Sequence, residues 1–353
     1  MGLRRAGKTS AREVVFHRLP PKQAFFVDTT PGVVKEDVEF WVPLQLWEIP
    51  GSQGLEALEA EGAHLSHFSS LIWVIDAADD YTESLRALFR TVVSAHQQNP
   101  SLHIDVFAHK SDAWDEYYRQ DAFRQIQDRT INELEDHPSP RVQELAESIQ
   151  FHLTSVYDHS VFEAMSRVVQ RLVPTLGFLE QTLNYWSQTL DIPKCFLFDV
   201  PSRLYITTDA SPVDPPSHDV CCQYIENIES VSQLFQRSML ERRKARKKKV
   251  AYRSSCSSKI AGDNTVAYWQ ISERLALVAL VQTHMFDDHR GAIEMNVKSL
   301  RDAMLKFEAL EARKRRPRPP VAPANANASS KSDSSSLRTP SVHASSAGNP
   351  NGG

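Results

Sequence analysis

The chain has 353 residues, of which 41% are hydrophobic and 24% charged, with a formal net charge of −4. That length suggests two domains with sizeable cores, and the near-neutral balance argues against bulk or specific nucleic-acid binding. No apolar run approaches the roughly 18 residues of a bilayer-spanning helix, no signal-peptide core opens the chain, and the four cysteines lack metal or redox spacing, which fits free thiols.

The first element is a loop. Gly2-Leu3-Arg4-Arg5-Ala6-Gly7-Lys8-Thr9 is a complete G-x-x-x-x-G-K-[ST] sequence, in which backbone N–H groups, a lysine and a hydroxyl meet a nucleotide's phosphates and Mg²⁺. Gly2, Arg4, Arg5, Ala6, Gly7, Lys8, Thr9 and Ser10 are therefore candidate phosphate-binding residues. Myristoylation of Gly2 is the weaker reading, because Ala6 stands where Ser or Thr is favoured. A phosphate loop normally hangs between a buried strand and a helix. The expectation is therefore that a strand belongs ahead of Met1. Without it two neighbouring strands lose backbone partners, an apolar void opens and the domain is destabilised.

Farther along, residues 40–47, 70–75, 102–108 and 149–153 read as strands, and 81–96, 117–135 and 160–172 have helical period. Their alternation predicts a parallel, doubly wound α/β sheet. The Pro-rich 137–140 reads as a loop. A linker helix over 176–193 leads to a second block. There 195–200 and 204–208 form a hairpin around Pro201-Ser202-Arg203, followed by a helix over 217–235, strands at 265–271 and 275–283, and a helix over 289–312. The order β-β-α-β-β-α predicts a small α+β domain with an antiparallel sheet.

A basic block at 242–249, inside an insertion over 240–262, reads as a solvated loop; contact with an anionic membrane and nuclear import are the alternatives. Beyond 313 the Pro-, Ala-, Ser- and Asn-rich tail predicts disorder. The expected domains are thus 1–175, 194–312 and the tail 313–353, with 176–193 as linker. Cys221-Cys222, the six tryptophans and Phe25-Phe26 all read as core.

The phosphate loop has ordered company at successive strand ends. His109-Lys110-Ser111-Asp112 matches the [N/T/H]-K-x-D element that reads guanine in GTPases. There the aspartate accepts from the ring N–H and exocyclic amine, a donor pair adenine lacks. Ser155 and Val156 follow the next strand, where a backbone N–H meets the guanine oxygen. Trp47-Glu48-Ile49-Pro50-Gly51 occupies the place of the D-x-x-G element, with Glu48 toward Mg²⁺ and the Gly51 N–H toward the γ-phosphate. Thr9, Thr30 and Glu48 are thus the candidate metal residues. Ser52 and Gln53 are candidates for positioning the attacking water. A P-loop kinase or ATPase is disfavoured because residues 109–112 would then have no purpose.

Residues 2–10 (GLRRAGKTS), 109–112 (HKSD), 153–160 (LTSVYDHS) and 196–212 (FLFDVPSRLYITTDASP) resemble the Rag GTPases, above all the RagC/RagD subgroup and its fungal Gtr counterpart. The resemblance spans about residues 2–310. It implies a Ras-like P-loop GTPase domain with its first strand missing here, then a roadblock/longin-like domain, and it implies GTP or GDP with Mg²⁺ as cofactors. It also implies a heterodimer with a RagA-type subunit, a scaffold complex on the cytoplasmic face of the lysosomal or vacuolar membrane, and relay of amino-acid status to the TOR kinase complex. Two departures point to slow hydrolysis at most: Glu48 stands in place of aspartate, and Ser52 in place of the water-orienting glutamine. A nucleotide-defective scaffold subunit is the alternative expectation.

Overall fold

The computed structural model of the chain describes residues 1–243 and 255–315. Residues Met1–Glu308 pack as one compact unit. Helix α1 (Lys8–His17) leaves the phosphate loop, and a 3₁₀ turn (Pro21–Phe26) leads to an antiparallel pair, β1 (Val34–Val38) and β2 (Leu44–Glu48). A short α2 (Glu56–Ala60) precedes β3 (Ser70–Asp76), α3 (Thr82–Gln98), β4 (His103–His109), α4 (Glu116–Glu135), α5 (Pro140–Ser148), β5 (Gln150–Thr154) and α6 (Ser160–Gln170). Strands β3, β4 and β5 form a parallel sheet in that order, as the alternation of apolar runs and helical stretches requires.

Two of the elements predicted for the first half change their bounds or type. The 40–47 strand narrows to β2, because Phe40 and Val42 turn into the core outside any strand. The Pro-rich 137–140 loop ends by starting α5, with Pro140 at the first helical position, where its missing N–H costs nothing.

The sheet is interrupted where the sequence predicts. Among the described residues β2 pairs with β1 alone among the strands, and β3 with β4 alone. Between them lies a slot with a cavity of about 140 Å³, lined from one side by Leu46 and Trp47 and from the other by Leu71, Ile72 and Val74. Met1 occupies its mouth in the register of a parallel strand. Its amino group donates to the Ile72 carbonyl at 2.7 Å, and its own carbonyl accepts from the Val74 N–H at 3.0 Å. Burial, then the nearby Lys8, pulls the Met1 amine from its ordinary 8.0 down to about 5, so this amine folds uncharged at neutral pH.

The second half begins after α7 (Leu176–Thr189). Strands β6 (Lys194–Asp199), β7 (Leu204–Thr208), β8 (Ser255–Ile260), β9 (Asn264–Gln270) and β10 (Leu275–Gln282) form one antiparallel sheet in the order β7-β6-β10-β9-β8. Helices α8 (Pro215–Arg243) and α9 (Thr283–Arg315) complete an α+β arrangement. Alternation sends Cys195 and Leu197 to one face and Phe196 and Phe198 to the other. The first face meets α6, α7 and α9, and the second meets Cys221, Cys222 and Ile225 of α8. Both cysteines of the pair are fully buried, as expected of core residues.

The expected order β-β-α-β-β-α needs one correction: β8 makes the third segment β-β-β. Its residues fall inside the predicted 240–262 insertion, which is therefore not all loop. The rest of the basic block and the tail, 244–254 and 316–353, lie outside the described residues. Two core assignments are also overturned. Phe25 and Phe26 are 82% and 79% exposed, and Trp114 is 46% exposed.

Candidate functional site

The phosphate loop is shaped by its own backbone and by what lies beneath it. Gly2 (φ 132°) and Gly7 (φ 97°) sit where L side chains are strained. A Cβ on Gly2 would stand 2.2 Å from the Val74 carbonyl oxygen, and one on Gly7 would stand 2.4 Å from the His109 ring. Arg5 (φ 62°) adopts the left-handed conformation without that licence, a strain that points to function. Gly51 approaches the loop from the far side, and a Cβ there would meet the Arg4 N at 2.3 Å.

Gly2 and Ala6 are buried and define the loop's curvature. Arg4, Arg5, Gly7, Lys8, Thr9, Ser10 and Gly51 face a cavity of about 920 Å³. Lys8 curls back to donate to the Gly2 and Leu3 carbonyls, both at 2.9 Å. Burial lowers its pKa, and Glu48 partly restores it.

Three oxygens converge beside the loop. Thr30 Oγ1 lies 2.8 Å from Thr9 Oγ1 and donates to Glu48 Oε1 at 2.8 Å, and Thr9 Oγ1 also donates to Glu48. The predicted metal residues, far apart in sequence, are therefore adjacent. Hydroxyl and carboxylate oxygens are the donor set Mg²⁺ prefers, so the residues fit that ion. The extra methylene of Glu48 has a counterpart the sequence does not reveal. Arg12 Nη1 lies 3.1 Å from Glu48 Oε2, in a setting where that oxygen makes no hydrogen bond. One carboxylate oxygen faces the hydroxyls while the other faces a guanidinium.

At the other end of the cavity stand Lys110, Asp112 and Val156. Lys110 takes a left-handed conformation (φ 62°) and its ammonium pairs with Asp76. Asp112 accepts from the Ser155 hydroxyl, while the Ser155 N–H donates to Ser160 Oγ at 2.8 Å. The Asp112 carboxylate is thereby held by the Ser155 loop, which α6 anchors. Ser155 is buried and acts as the brace behind Asp112 rather than as part of the cavity wall.

His109 has a different role from the others in its motif. Its buried ring is wedged under Gly7 and its Nδ1 lies 2.9 Å from Thr154 Oγ1. Burial first, then Lys110, depresses its pKa from 6.5 to about 4. It is a neutral prop joining the phosphate loop to the guanine loop.

Of the two water-positioning candidates, Ser52 lines the cavity while Gln53 is exposed and does not. Residues missed at the sequence level complete the wall: Phe25, Asp28 and Tyr157.

Comparison with known proteins agrees with this geometry. A family model described as the Gtr1/RagA G protein conserved region matches residues 1–228. The GTP-binding protein gtr2 of Schizosaccharomyces pombe is 35% identical over 307 residues, covering 86% of this chain and 95% of its own. Human Ras-related GTP-binding protein C is 35% identical over 311 residues, covering 86% of this chain and 74% of its own. GTP-binding protein GTR2 of Saccharomyces cerevisiae is 33% identical, covering 81% and 84%.

Proposed function

The chain belongs to the Gtr/Rag family of GTP-binding proteins, and on that premise we propose that it is the Gtr2/RagC-type subunit of a heterodimer with a Gtr1/RagA-type GTPase. The observation that carries this reading is the single cavity of about 920 Å³ whose two ends are a complete phosphate loop and the Lys110–Asp112 guanine element. In this reading the protein holds GTP or GDP with Mg²⁺. The backbone of residues 2–10 and Lys8 bind the phosphates, Asp112 reads the base, and Thr9, Thr30 and Glu48 hold the metal. Bound Mg²⁺ supplies charge neutralisation at the β- and γ-phosphates.

Hydrolysis is slow, because the residue that reaches the cavity after Gly51 is Ser52, whose short hydroxyl cannot span to a water as a glutamine amide does. Nucleotide state therefore serves as a switch of partner surfaces, relaying amino-acid availability to the TOR kinase complex. The proposed location is the cytoplasmic face of the vacuolar or lysosomal membrane. Attachment there runs through a scaffold complex, since among the described residues no helix is long and apolar enough to cross a membrane.

The test is equilibrium binding of a fluorescent GDP to the full chain co-purified with its partner subunit. Lys8→Ala removes a charged phosphate contact and is expected to weaken binding about a hundredfold, with the dimer intact. Equal affinity for ADP and GDP would overturn the proposal. A second reading, a scaffold that has lost nucleotide binding, is favoured by Glu48 and Ser52 in place of aspartate and the water-orienting glutamine. It predicts a stable dimer in which neither wild type nor Lys8→Ala retains nucleotide.

A further inference from the structure

A groove on the side of the first domain has no part in the site above. It is a cavity of about 380 Å³ walled by Tyr81, Trp114 and Tyr118, floored by Ala77 and Ala78, and rimmed by Asp79, Asp80 and Asp121. Its aromatic wall continues outward: Tyr117 packs edge-on to Tyr118 at 5.7 Å, and Trp114 lies 6.3 Å from Tyr118. Trp114, Tyr118 and Tyr117 are 46%, 59% and 77% exposed. Three contiguous exposed rings are unusual on a protein surface and mark an interaction site. Trp and Tyr are also the residues that most often anchor one.

The rings are held in place rather than loosely displayed. The Trp114 indole donates to the Ala77 carbonyl at 3.2 Å, and the Tyr81 hydroxyl donates to Gln125 Oε1 at 2.9 Å. A preformed wall loses little side-chain freedom when it is covered.

Charge specifies the occupant. Arg86 pairs with Glu83 and Arg119 with Glu116. Of the rim carboxylates, Asp80 is held below the usual range by the Thr82 hydrogen bonds and then by the nearby Arg129 and Arg86, and neither Asp79 nor Asp121 makes an ion pair among the described residues. Their oxygens accept local hydrogen bonds, Asp80 from the Thr82 N–H and Asp121 from the Gln125 amide, which fixes the carboxylates without neutralising them. The rings' affinity for a cation is already visible within the molecule, since the Arg129 guanidinium lies 5.8 Å from the Tyr81 centroid. Aromatic faces flanked by carboxylates attract a cationic side chain through ring quadrupole and charge together.

We propose that this groove is the docking surface for a basic segment of a partner protein, an arginine or lysine of that segment lying against Trp114 and Tyr118 beneath the carboxylate rim. The surface is continuous with the guanine loop. Its floor residue Ala77 donates its N–H to the His109 carbonyl at 2.9 Å, and the Asp76 that pairs with Lys110 immediately precedes it.

The experiment titrates the full-length protein with a fluorescein-labelled Arg/Gly peptide, with a Gln/Gly peptide of equal length as control, and reads anisotropy. Saturable binding of the Arg/Gly peptide alone, weakened by added salt, is expected. Trp114→Ala is expected to weaken it about tenfold, and Trp114→Phe, which keeps a ring, much less. Asp80→Asn combined with Asp121→Asn, both at exposed positions where the fold is insensitive, is expected to weaken it about fivefold and to flatten the salt dependence. Equal binding of the two peptides would overturn the proposal, as would unchanged affinity in both the Trp114→Ala and the double Asn variants. Binding that tracks the acidic rim but ignores Trp114 would reduce the groove to a diffuse charge effect and equally overturn it.

Discussion

The two halves of this protein treat their sheets in opposite ways. In the second half every strand of the antiparallel sheet finds its place, and both faces are covered by helices. Its β7 edge is even sealed by α6, where the Tyr205 N–H donates to Ser166 Oγ at 3.0 Å and Gln170 donates to the Ile206 carbonyl at 3.1 Å. In the first half β2 and β3 face each other across a slot that only Met1 enters. Yet the nucleotide-binding residues assemble in that incomplete half. The reason is that each sits on a loop anchored by its own local contacts: His109 on Thr154, Ser155 on Ser160, Glu48 on Thr30.

The largest expected effect comes from closing the slot. Fusing five β-branched residues ahead of Met1 adds a strand that buries three or four apolar side chains, worth about 5 kcal/mol. It also removes the buried amine. Urea unfolding should show that gain in the first half only; no gain would mean the slot is not an acceptor of a strand.

Next, Phe198→Ala in the closed sheet should cost about 4 kcal/mol, whereas Leu71→Ala at the slot should cost about 2 kcal/mol because its neighbours are already missing on one side. Equal losses would erase the distinction between the halves. Acid sharpens it further. The folded His109 binds its proton only near pH 4 against an ordinary 6.5. As pH falls through that interval the unfolded state takes up the proton first, and about 3 kcal/mol of stability is lost. His109→Gln should flatten this acid limb in a pH series of thermal melts.

The smallest effect lies at the junction of the halves. His159, at the start of α6, pairs with Asp219 and lies 3.5 Å from Glu226, both of α8. Burial opposes its charge, but the bonds from Glu226 and Asp219 prevail and raise its pKa. Its contribution is complete below the ordinary histidine value and is lost as pH rises through the raised one. For a half-open pair that is about 1 kcal/mol, measurable as a smaller alkaline decline in His159→Ala.

Much of this was legible in the chain, for identifiable reasons. Motifs tied to strand ends carry their own geometry, so Lys8, Thr9, Thr30, Glu48, Lys110 and Asp112 could be placed before any coordinate. Strand β8 was hidden because Ser-Cys-Ser-Ser-Lys-Ile is an exposed edge with no apolar alternation. Strand β1, Val-Lys-Glu-Asp-Val, was hidden for a similar reason. Phe25 reads as core because hydrophobicity alone cannot separate a buried ring from one lining a ligand cavity. The approach of Arg12 to Glu48 joins residues 36 positions apart in sequence, and no local pattern announces it.

The most direct test of the central claim, that guanine recognition is assembled in this half despite its gap, is a base-swap measurement. GDP and XDP affinities are determined for the wild type and for Asp112→Asn, each with its partner subunit. Replacing the carboxylate acceptor by an amide, which can donate to the extra carbonyl of xanthine, should invert the preference from GDP to XDP. Indifference of both proteins to the base, or a GDP preference that survives Asp112→Asn, would contradict the account.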